Sequence, residues 1–505
     1  MTQTISLEQA RQLAGQLVMI RLPITELDQA SAEYLKANHI RAICLFRQNM
    51  QSEAQLKKLT SDLRAVMGPD ALIAIDQEGG AVVRSTWVPA PPAAMALGAA
   101  DDEALCEQVG AAVARAVKAL GFNWNFAPVL DLNNNPHNPV ISERSFSSDP
   151  AQAARLALSW MRGSLAEGVA CCVKHFPGHG DTHVDSHRDL PHVDKSLAQL
   201  NELEFAPFKQ AVAQEVPAIM TAHIVYPALD ADNPATMSSA ILSDLLRRDW
   251  GYQGVVITDG MDMHAIAGRY GVGPAAVRAL SAGADMVMAL GTPETQQESL
   301  QALAEFIQSG GISLAQVEEK LARMRQLTQT YPCQDSAYQT DLADRILMAQ
   351  AWKKGLTQVG EFQAPAAGSK VRLVVRADVV SDGVSEAGIA ADKVEAMLSQ
   401  LYQVDTVLFS EADDFDWQAL PKDGVYTILA STIRIRYSEQ VRANWRPDLH
   451  LALWNPFQVL DIEAPALITY GFAAPALDAV RACLQGEIQA KGQFPVAGVF
   501  DQVVA

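Results

Sequence analysis

The chain has little positive charge and no long apolar run. Its 505 residues contain 39 lysines and arginines against 58 aspartates and glutamates, a formal net charge of −19. This excess of negative charge argues against nucleic acid and against an anionic membrane surface as partners. The segment Met1–Leu22 lacks a basic start followed by an apolar run, and no stretch is long enough to span a bilayer. Neither a secretory signal nor a membrane anchor is therefore expected.

Cysteine is scarce as well, which argues against a secreted protein built on disulfides. The six cysteines are scattered along the chain, and the adjacent Cys171 and Cys172 resemble strand residues rather than half of a metal-binding knuckle. A reduced compartment suits this distribution better, so the sequence predicts a cytoplasmic protein.

What the chain does contain is a regular alternation of buried-type strands and amphipathic helices. Its length is too great for one ordinary core, so two domains are expected. Near-continuous apolar runs separated by helical segments indicate a parallel sheet covered by helices, and eight such units in roughly 300 residues predict a (β/α)8 TIM-type barrel over residues 1–332. The eight runs are Leu17–Leu22, Ala42–Phe46, Leu72–Asp76, Asn123–Leu130, Ala170–Phe176, Pro217–His223, Gly254–Asp259 and Met286–Leu290.

Polar residues follow several of these runs. Asp76, His175, His223 and Asp259 stand at or just past the carboxyl ends of their predicted strands. In a (β/α)8 barrel these ends meet at the rim that carries catalysis. The sequence therefore predicts an active site there.

A second, weaker alternation follows the barrel. Residues 333–369 are predicted as a linker with a connecting helix at Asp341–Lys354, and residues 370–505 as a smaller α/β (αβα) sandwich. This part offers neither a nucleotide-type glycine loop nor a cluster of titratable residues. A structural or interface role is the expectation for it.

The stretch Lys174–Pro191 is the most informative in the chain. It contains one lysine, four histidines and three aspartates, and Pro177, Gly178 and Gly180 prevent a regular helix. A loop so rich in titratable groups, directly after a buried strand, reads as an active-site loop.

Two carboxylates and a histidine suggest the chemistry. Asp259 ends a buried strand, where a carboxylate needs a partner or a task, although capping of the next helix is an equal alternative. Asp185 and His187 are close enough in sequence for the carboxylate to orient the imidazole and keep a proton on it near neutrality. A proton donor plus a separate carboxylate nucleophile is what cleavage of a glycosidic bond requires.

Metal binding is the rival interpretation of the same loop. His175, His179, His183 and His187 recur at every fourth position, but the helix that would align them is forbidden, so no metal is predicted. We expect His179 and Asp181 to hold the loop backbone and His183 to face solvent.

The stretch Lys174–Pro191 resembles the signature of family 3 glycoside hydrolases, in their β-N-acetylglucosaminidase branch. The family pattern reads Lys-His-Phe-Pro-Gly-His-Gly-Asp-Thr, two variable residues, then Asp-Ser-His. Further blocks resemble the family in the same order, which makes the resemblance highly specific over the barrel and weaker over the second domain. These blocks are Ile75–Gly80, Asn125–Asp131, Glu143–Phe146, Met220–His223 and Pro234–Ser238.

The resemblance implies a retaining exo-β-N-acetylglucosaminidase that needs no cofactor. Asp259 would be the nucleophile that forms a covalent glycosyl-enzyme, and His187 the general acid/base in a dyad with Asp185. The substrate would be a terminal β-linked N-acetylglucosaminide, from a cell-wall muropeptide or a chitooligosaccharide fragment, and the protein a monomer or homodimer. The residues implied to grip the sugar, each of which has an ordinary salt bridge as its alternative role, are Asp76, Arg84, Arg144, Lys174 and His175.

Three departures from the family pattern bear on these roles. Ala81 stands where an arginine is usual, Ser147 replaces a common glycine, and the nucleophile segment reads Thr258-Asp259-Gly260. Because of the last departure, Asp262 is a minor competitor for the nucleophile.

Other functions stay open at this point. A histidine base does not repel phosphate as a carboxylate would, so phosphorolysis is one alternative. A β-glucosidase is a second, and a non-catalytic glycan-binding or scaffold protein that kept the barrel is a third.

Overall fold

The computed structural model describes residues 5–183, 190–334, 341–381, 384–385 and 388–498. The chain divides into two compact units, each assembled from separated stretches. The first comprises Met1–Gln77, Gly110–Leu132 and Leu158–Gln339, and the second comprises Glu78–Val109, Asn133–Ala157 and Thr340–Ala505. The predicted domain boundaries at residues 332 and 370 stay predictions.

The first unit contains a closed, eight-stranded parallel barrel, which confirms the predicted (β/α)8 fold. Each predicted apolar run coincides with one barrel strand, and the strand of the run Gly254–Asp259 extends one residue further, to Gly260. Almost every strand residue is buried, as expected for a parallel sheet that is covered on both faces. The strands are β1 (Val18–Ile20), β2 (Ala42–Cys44), β3 (Leu72–Ile75), β4 (Trp124–Asn125), β5 (Ala170–Phe176), β6 (Ala218–Thr221), β7 (Val255–Gly260) and β8 (Met286–Ala289). They close in the order β1-β8-β7-β6-β5-β4-β3-β2.

Local capping sequences set the ends of the outer helices. Ser52 caps the helix Glu53–Met67 in a capping box with Gln55, and Gly68 ends it at φ +90°, a conformation that glycine adopts readily. The other helices that belong wholly to this unit are Leu7–Gln16, Gln29–Ala37, Leu197–Glu202, Phe205–Ala213, Ala240–Asp249 (π-type), His264–Tyr270, Val272–Ala282, Pro293–Gln308 and Leu314–Thr330. Two further helices, Glu103–Ala119 and Pro150–Ala166, include residues of both units. Among the described residues, no helix is long and apolar enough to cross a membrane.

The second unit is built on a six-stranded sheet. Across the sheet, its strands are β9 (Thr357–Val359), β14 (Ala466–Ile468), β13 (Leu449–Ala452), β12 (Tyr426–Ser431), β10 (Lys370–Arg376) and β11 (Gln403–Phe409). Successive residues of β10 face opposite cores: Leu373 and Val375 pack in one apolar cluster, and Val374 packs in another. Helices Ala391–Leu398 and Ala474–Leu484 cover the first face, and Glu439–Asn444 covers the second, so the predicted αβα sandwich is confirmed. β9 pairs antiparallel with β14, and all other neighbouring strands of this sheet pair in parallel.

The buried histidine of this sheet predicts how the stability of the second unit depends on pH. Burial lowers the pKa of His450 to about 3, and its Nε2 lies 2.7 Å from Ser431 Oγ. Between pH 6.5 and 3 the unfolded chain therefore binds a proton that the folded chain does not, and stability falls as the pH falls. The variant His450→Gln lacks this pH-dependent contribution to stability. The difference in unfolding free energy between the wild type and His450→Gln should therefore decrease by roughly 1.4 kcal/mol per pH unit from pH 6 to pH 4.

Urea unfolding at several pH values, monitored through the second unit's tryptophans, measures this difference. The exposed His192 provides the matched control. A difference in unfolding free energy between the wild type and His450→Gln that stays constant with pH would contradict the prediction.

Candidate active site

Three strands of the barrel bring the predicted site residues to one rim. Asp76 directly follows β3, Lys174 and His175 lie in β5, and Asp259 lies near the end of β7. Lys174 Nζ lies 2.7 Å from Asp76 Oδ1, with 3% and 14% of the two side chains exposed. Because β4 separates β3 from β5, this ion pair reaches past β4 at the carboxyl ends of the strands.

The strand β5, which carries Lys174 and His175, and the strand β7, which carries Asp259, are irregular at these residues. In the pairing of β5 with β6, Val173 is opposite Ile219 and Phe176 is opposite Thr221, so β5 has an extra residue around Lys174 and His175. The pairing of β7 with β8 shifts in the same way between Ile257 and Gly260, around Asp259. Such bulges re-aim side chains and are frequent beside active sites. The irregularities therefore coincide with the predicted chemistry.

Asp131 organises the start of the active-site loop. Its Oδ1 accepts the backbone N–H groups of His175 (3.0 Å) and His179 (2.6 Å), and its Oδ2 lies 2.6 Å from His175 Nδ1. Burial of Asp131 opposes its charged form, but the positive field and hydrogen bond of His175, with the field of His179, hold its pKa below the usual value. In the neutral ring, Asp131 thus fixes the proton of His175 on Nδ1 and leaves Nε2 as the acceptor.

Asp259 is half-buried and its turn is held by His223. Asp259 Oδ1 accepts the backbone N–H of Gly260 at 2.7 Å. The buried ring of His223 donates from Nε2 to the Gly260 carbonyl at 2.9 Å, and its Nδ1 lies 2.8 Å from Thr236 Oγ1. His223 therefore fixes the backbone beside the predicted nucleophile.

The charges of the rim act on one buried thiol. Burial is the main reason that the pKa of Cys172 is raised well above its usual value. The field of Lys174 opposes the increase, and the fields of Asp76 and Asp259 add to it. The three charged groups on three different strands therefore lie within electrostatic reach of the same atom.

The predicted acid/base dyad, Asp185 and His187, lies outside the described residues. Described residues on both sides of this segment are anchored. On one side, Tyr226 donates to the Gly178 carbonyl and Asp181 pairs with Lys195 at 3.1 Å. On the other, Leu190 packs against Val225 and Ala265. His183 is exposed, as expected. His179 is buried, and Asp181 pairs with the side chain of Lys195.

Arg84 and Arg144 lie in the second unit and are described with it. Arg84 donates to the Val384 carbonyl at 2.7 Å. Arg144 forms a bidentate pair with Glu78, at 2.9 Å from Nε and 2.8 Å from Nη2, and only 5% of its side chain is exposed. A bidentate pair fixes the plane of the guanidinium group, which suits the recognition of hydroxyl groups in a defined geometry.

Sequence reasoning assigned no role to Asp131 or His223. Asp131 ends an apolar run, as Asp76 and Asp259 do, so the signal for it was present in the sequence. His223 was noted only as a strand-end residue. Among the described residues, no three His, Cys, Asp or Glu side chains converge in a way that could hold a metal ion.

The arrangement of carboxylates, a lysine and an oriented imidazole around one rim suits the binding of a polyhydroxylated ligand. Residues 10–327 match the profile of the Glycosyl hydrolase family 3 N terminal domain. The chain belongs to glycoside hydrolase family 3. The predicted family is thereby confirmed, and so is the predicted class of enzyme, a glycoside hydrolase.

Several known glycosidases are similar to this chain. A solved β-N-acetylglucosaminidase from Paenibacillus sp. str. FPU-7 is 33% identical, with a TM-score of 0.88 over 96% of this chain and 98% of that chain. A β-hexosaminidase from Chromobacterium violaceum is 36% identical over 61% of this chain and 86% of its own length. β-Hexosaminidase A from Pseudoalteromonas piscicida is 35% identical over 62% of this chain. The matched part spans 57% of that relative's own length.

Replacing Asp131 should affect binding and turnover more than folding. In Asp131→Asn the remaining oxygen can still accept the two backbone N–H groups, but the amide nitrogen then faces His175 Nδ1 and forces the other tautomer. We expect kcat/KM for glycoside hydrolysis to fall by about tenfold to a hundredfold, with a loss of about 1–2 kcal/mol in unfolding free energy.

Steady-state kinetics and urea unfolding check this expectation. The control is Asp28→Asn, which replaces a helix N-cap by an equally good one and should change neither quantity. Unchanged kcat/KM in Asp131→Asn would show that the orientation of His175 is irrelevant to the reaction.

Proposed function

We propose that this chain is a retaining exo-β-N-acetylglucosaminidase that releases terminal N-acetylglucosamine from β-linked glycosides. The observation that carries the proposal is the convergence of Asp76, Lys174 and Asp259 at the carboxyl rim of the barrel, with both strand bulges at the same residues. The β-N-acetylglucosaminidase and β-hexosaminidases to which the chain is similar support the acetamido sugar as the specificity.

In the proposed reaction, a carboxylate oxygen of Asp259 attacks the anomeric carbon. The bond from that carbon to the leaving oxygen breaks, and the leaving oxygen takes a proton from His187. The imidazole then removes a proton from a water molecule, which attacks the anomeric carbon of the glycosyl-enzyme and releases Asp259. Two displacements at one centre retain the β configuration.

The anchoring of Leu190 supports His187 as the proton donor. Two residues separate them in sequence, so the Cα atom of His187 can lie no more than about 11 Å from that of Leu190. Leu190 packs against Ala265, which lies in the helix His264–Tyr270 directly after the Asp259 turn. An extended histidine side chain adds several ångströms of reach toward that turn. Asp185, two residues earlier, would orient the ring.

The sugar-binding groups are proposed on chemical grounds. Lys174 and Asp76 offer a cation and a carboxylate to neighbouring hydroxyl groups, and His175 offers Nε2. Arg144 and Arg84 are proposed as further contacts. Cell-wall muropeptides are the proposed natural substrate class, with chitooligosaccharides as the comparison in any assay; the cytoplasm and a monomer or homodimer stay predictions.

The first test concerns the nucleophile. Asp259→Asn should lower kcat for a chromogenic N-acetylglucosaminide by at least about 10³-fold, because the amide cannot form the covalent intermediate. Incubation of the wild type with a 5-fluorinated, activated N-acetylglucosaminide should leave a glycosyl adduct on Asp259, located by mass spectrometry of the peptide.

Asp262→Asn is the matched control, three residues along the same turn. It should retain activity within about tenfold and still accept the label. A label on Asp262, or full activity in Asp259→Asn, would overturn the assignment.

The second test concerns the acid. His187→Ala should lower kcat/KM by about 10²–10⁴-fold for a sugar leaving group, which needs protonation, but much less for a dinitrophenolate, which does not. The same assays, repeated with added phosphate, also distinguish hydrolysis from phosphorolysis. Sugar 1-phosphate as the main product would show that the enzyme is a phosphorylase. Equal losses on both leaving groups would contradict an acid role for His187.

A further inference from the structure

The turn that carries Arg144 has a backbone conformation that must be held from outside. Ser142 has φ +40°, which residues with a side chain adopt rarely, and it is buried. A conformation of this kind persists only where the surrounding structure over-determines it. Some of that support is local, since Asn138 Oδ1 accepts the backbone N–H groups of Val140 and Ile141 at 2.8 Å each.

Further support comes from a distant part of the chain in the same unit. Arg434 donates from Nη2 to Glu143 Oε1 at 2.7 Å and from Nη1 to the Val140 carbonyl at 2.6 Å. Both side chains of this ion pair are almost completely buried, with 4% and 1% exposed. Trp454 donates from Nε1 to the same Glu143 oxygen at 3.0 Å, and its ring lies 5.6 Å from the Arg434 guanidinium carbon.

Arg144 and Arg434 share one acceptor. Arg144 Nη1 donates to the Val140 carbonyl at 3.2 Å, the oxygen that Arg434 also contacts. Glu78 holds the other edge of Arg144 through two hydrogen bonds. The plane of the Arg144 guanidinium is thus set by Glu78 on one side and by a carbonyl that Arg434 holds on the other.

We propose that Arg434 is a positioning residue for Arg144, and that supplying it is a contribution of the sandwich domain to sugar recognition. The inference rests on the proposed function, because it takes Arg144 as a contact of the sugar. Arg434 itself acts at a distance, through the Val140 carbonyl and the backbone next to Glu143. Its effect should therefore appear in substrate binding rather than in bond cleavage.

The test is Arg434→Met, with Arg434→Lys as the conservative variant. A misplaced Arg144 weakens ground state and transition state alike, so KM for an N-acetylglucosaminide should rise by about tenfold or more while kcat stays within about twofold. Lysine cannot reach Glu143 and the carbonyl together in the planar geometry of arginine, so Arg434→Lys should give an intermediate KM.

Arg372→Met is the matched control. Arg372 is as deeply buried in the same unit, and it also binds one carboxylate, Asp423 at 2.8 Å, and one carbonyl, Pro421 at 3.1 Å. Thermal unfolding should show a loss of stability for both methionine variants, but only Arg434→Met should raise KM. Equal KM values for the two would reduce Arg434 to a structural role and overturn the inference.

A double mutant separates action through Arg144 from any other route. If Arg434 works only by placing Arg144, adding Arg434→Met to Arg144→Met should raise KM no further. Additive increases would overturn the inference, and if Arg434→Met does not fold, the same cycle with Arg434→Lys decides. A wild type that hydrolyses no N-acetylglucosaminide overturns the proposed function, whereas a hydrolysing wild type with unchanged KM in the Arg434 variants overturns this inference alone.

Discussion

The ion pair between Lys174 and Asp76 ties two non-adjacent strands of the barrel together at the rim. Only 3% of the lysine side chain is exposed, so its charge depends on the carboxylate that faces it. The pair forms because a closed parallel barrel brings all strand ends to one rim, and because the β5 bulge falls at Lys174. A buried ion pair contributes little net stability compared with an apolar pair, so stability alone does not account for this one, in agreement with the proposed sugar-binding role.

Three strand-end aspartates illustrate how one sequence signal leads to three tasks. Asp76 faces a lysine, and Asp259 remains half-buried beside a turn that His223 holds. Asp131 forms three hydrogen bonds, two with His175 in β5 and one with His179 in the loop that follows. What separates them is the element that packs against each carboxylate. The fully buried Asp131 orients His175 and the loop backbone, whereas Asp259 is only half-buried.

The sequence predicts the barrel well because strands buried on both faces are written as continuous apolar runs, and all eight runs coincide with a strand. It predicts the rim residues for the same reason, since polar residues at the ends of such runs are conspicuous. The task of Asp131 and the two bulges could not be predicted, because both depend on pairing between strands. The contact of Arg434 with Glu143 joins residues 291 positions apart, and no local pattern encodes it.

The side chains proposed for bond cleavage and for sugar binding differ in how rigidly the backbone holds them. Lys174 and Asp259 lie within barrel strands, whose hydrogen bonds to both neighbours fix the backbone against which a bond must be broken. Arg144 lies on a turn with a strained residue, and a turn of this kind is only as rigid as its contacts. The sandwich supplies those contacts from a unit with its own apolar cores. In the proposed reaction, bond cleavage therefore rests on barrel residues, whereas the proposed role of Arg144 depends on contacts within its own unit.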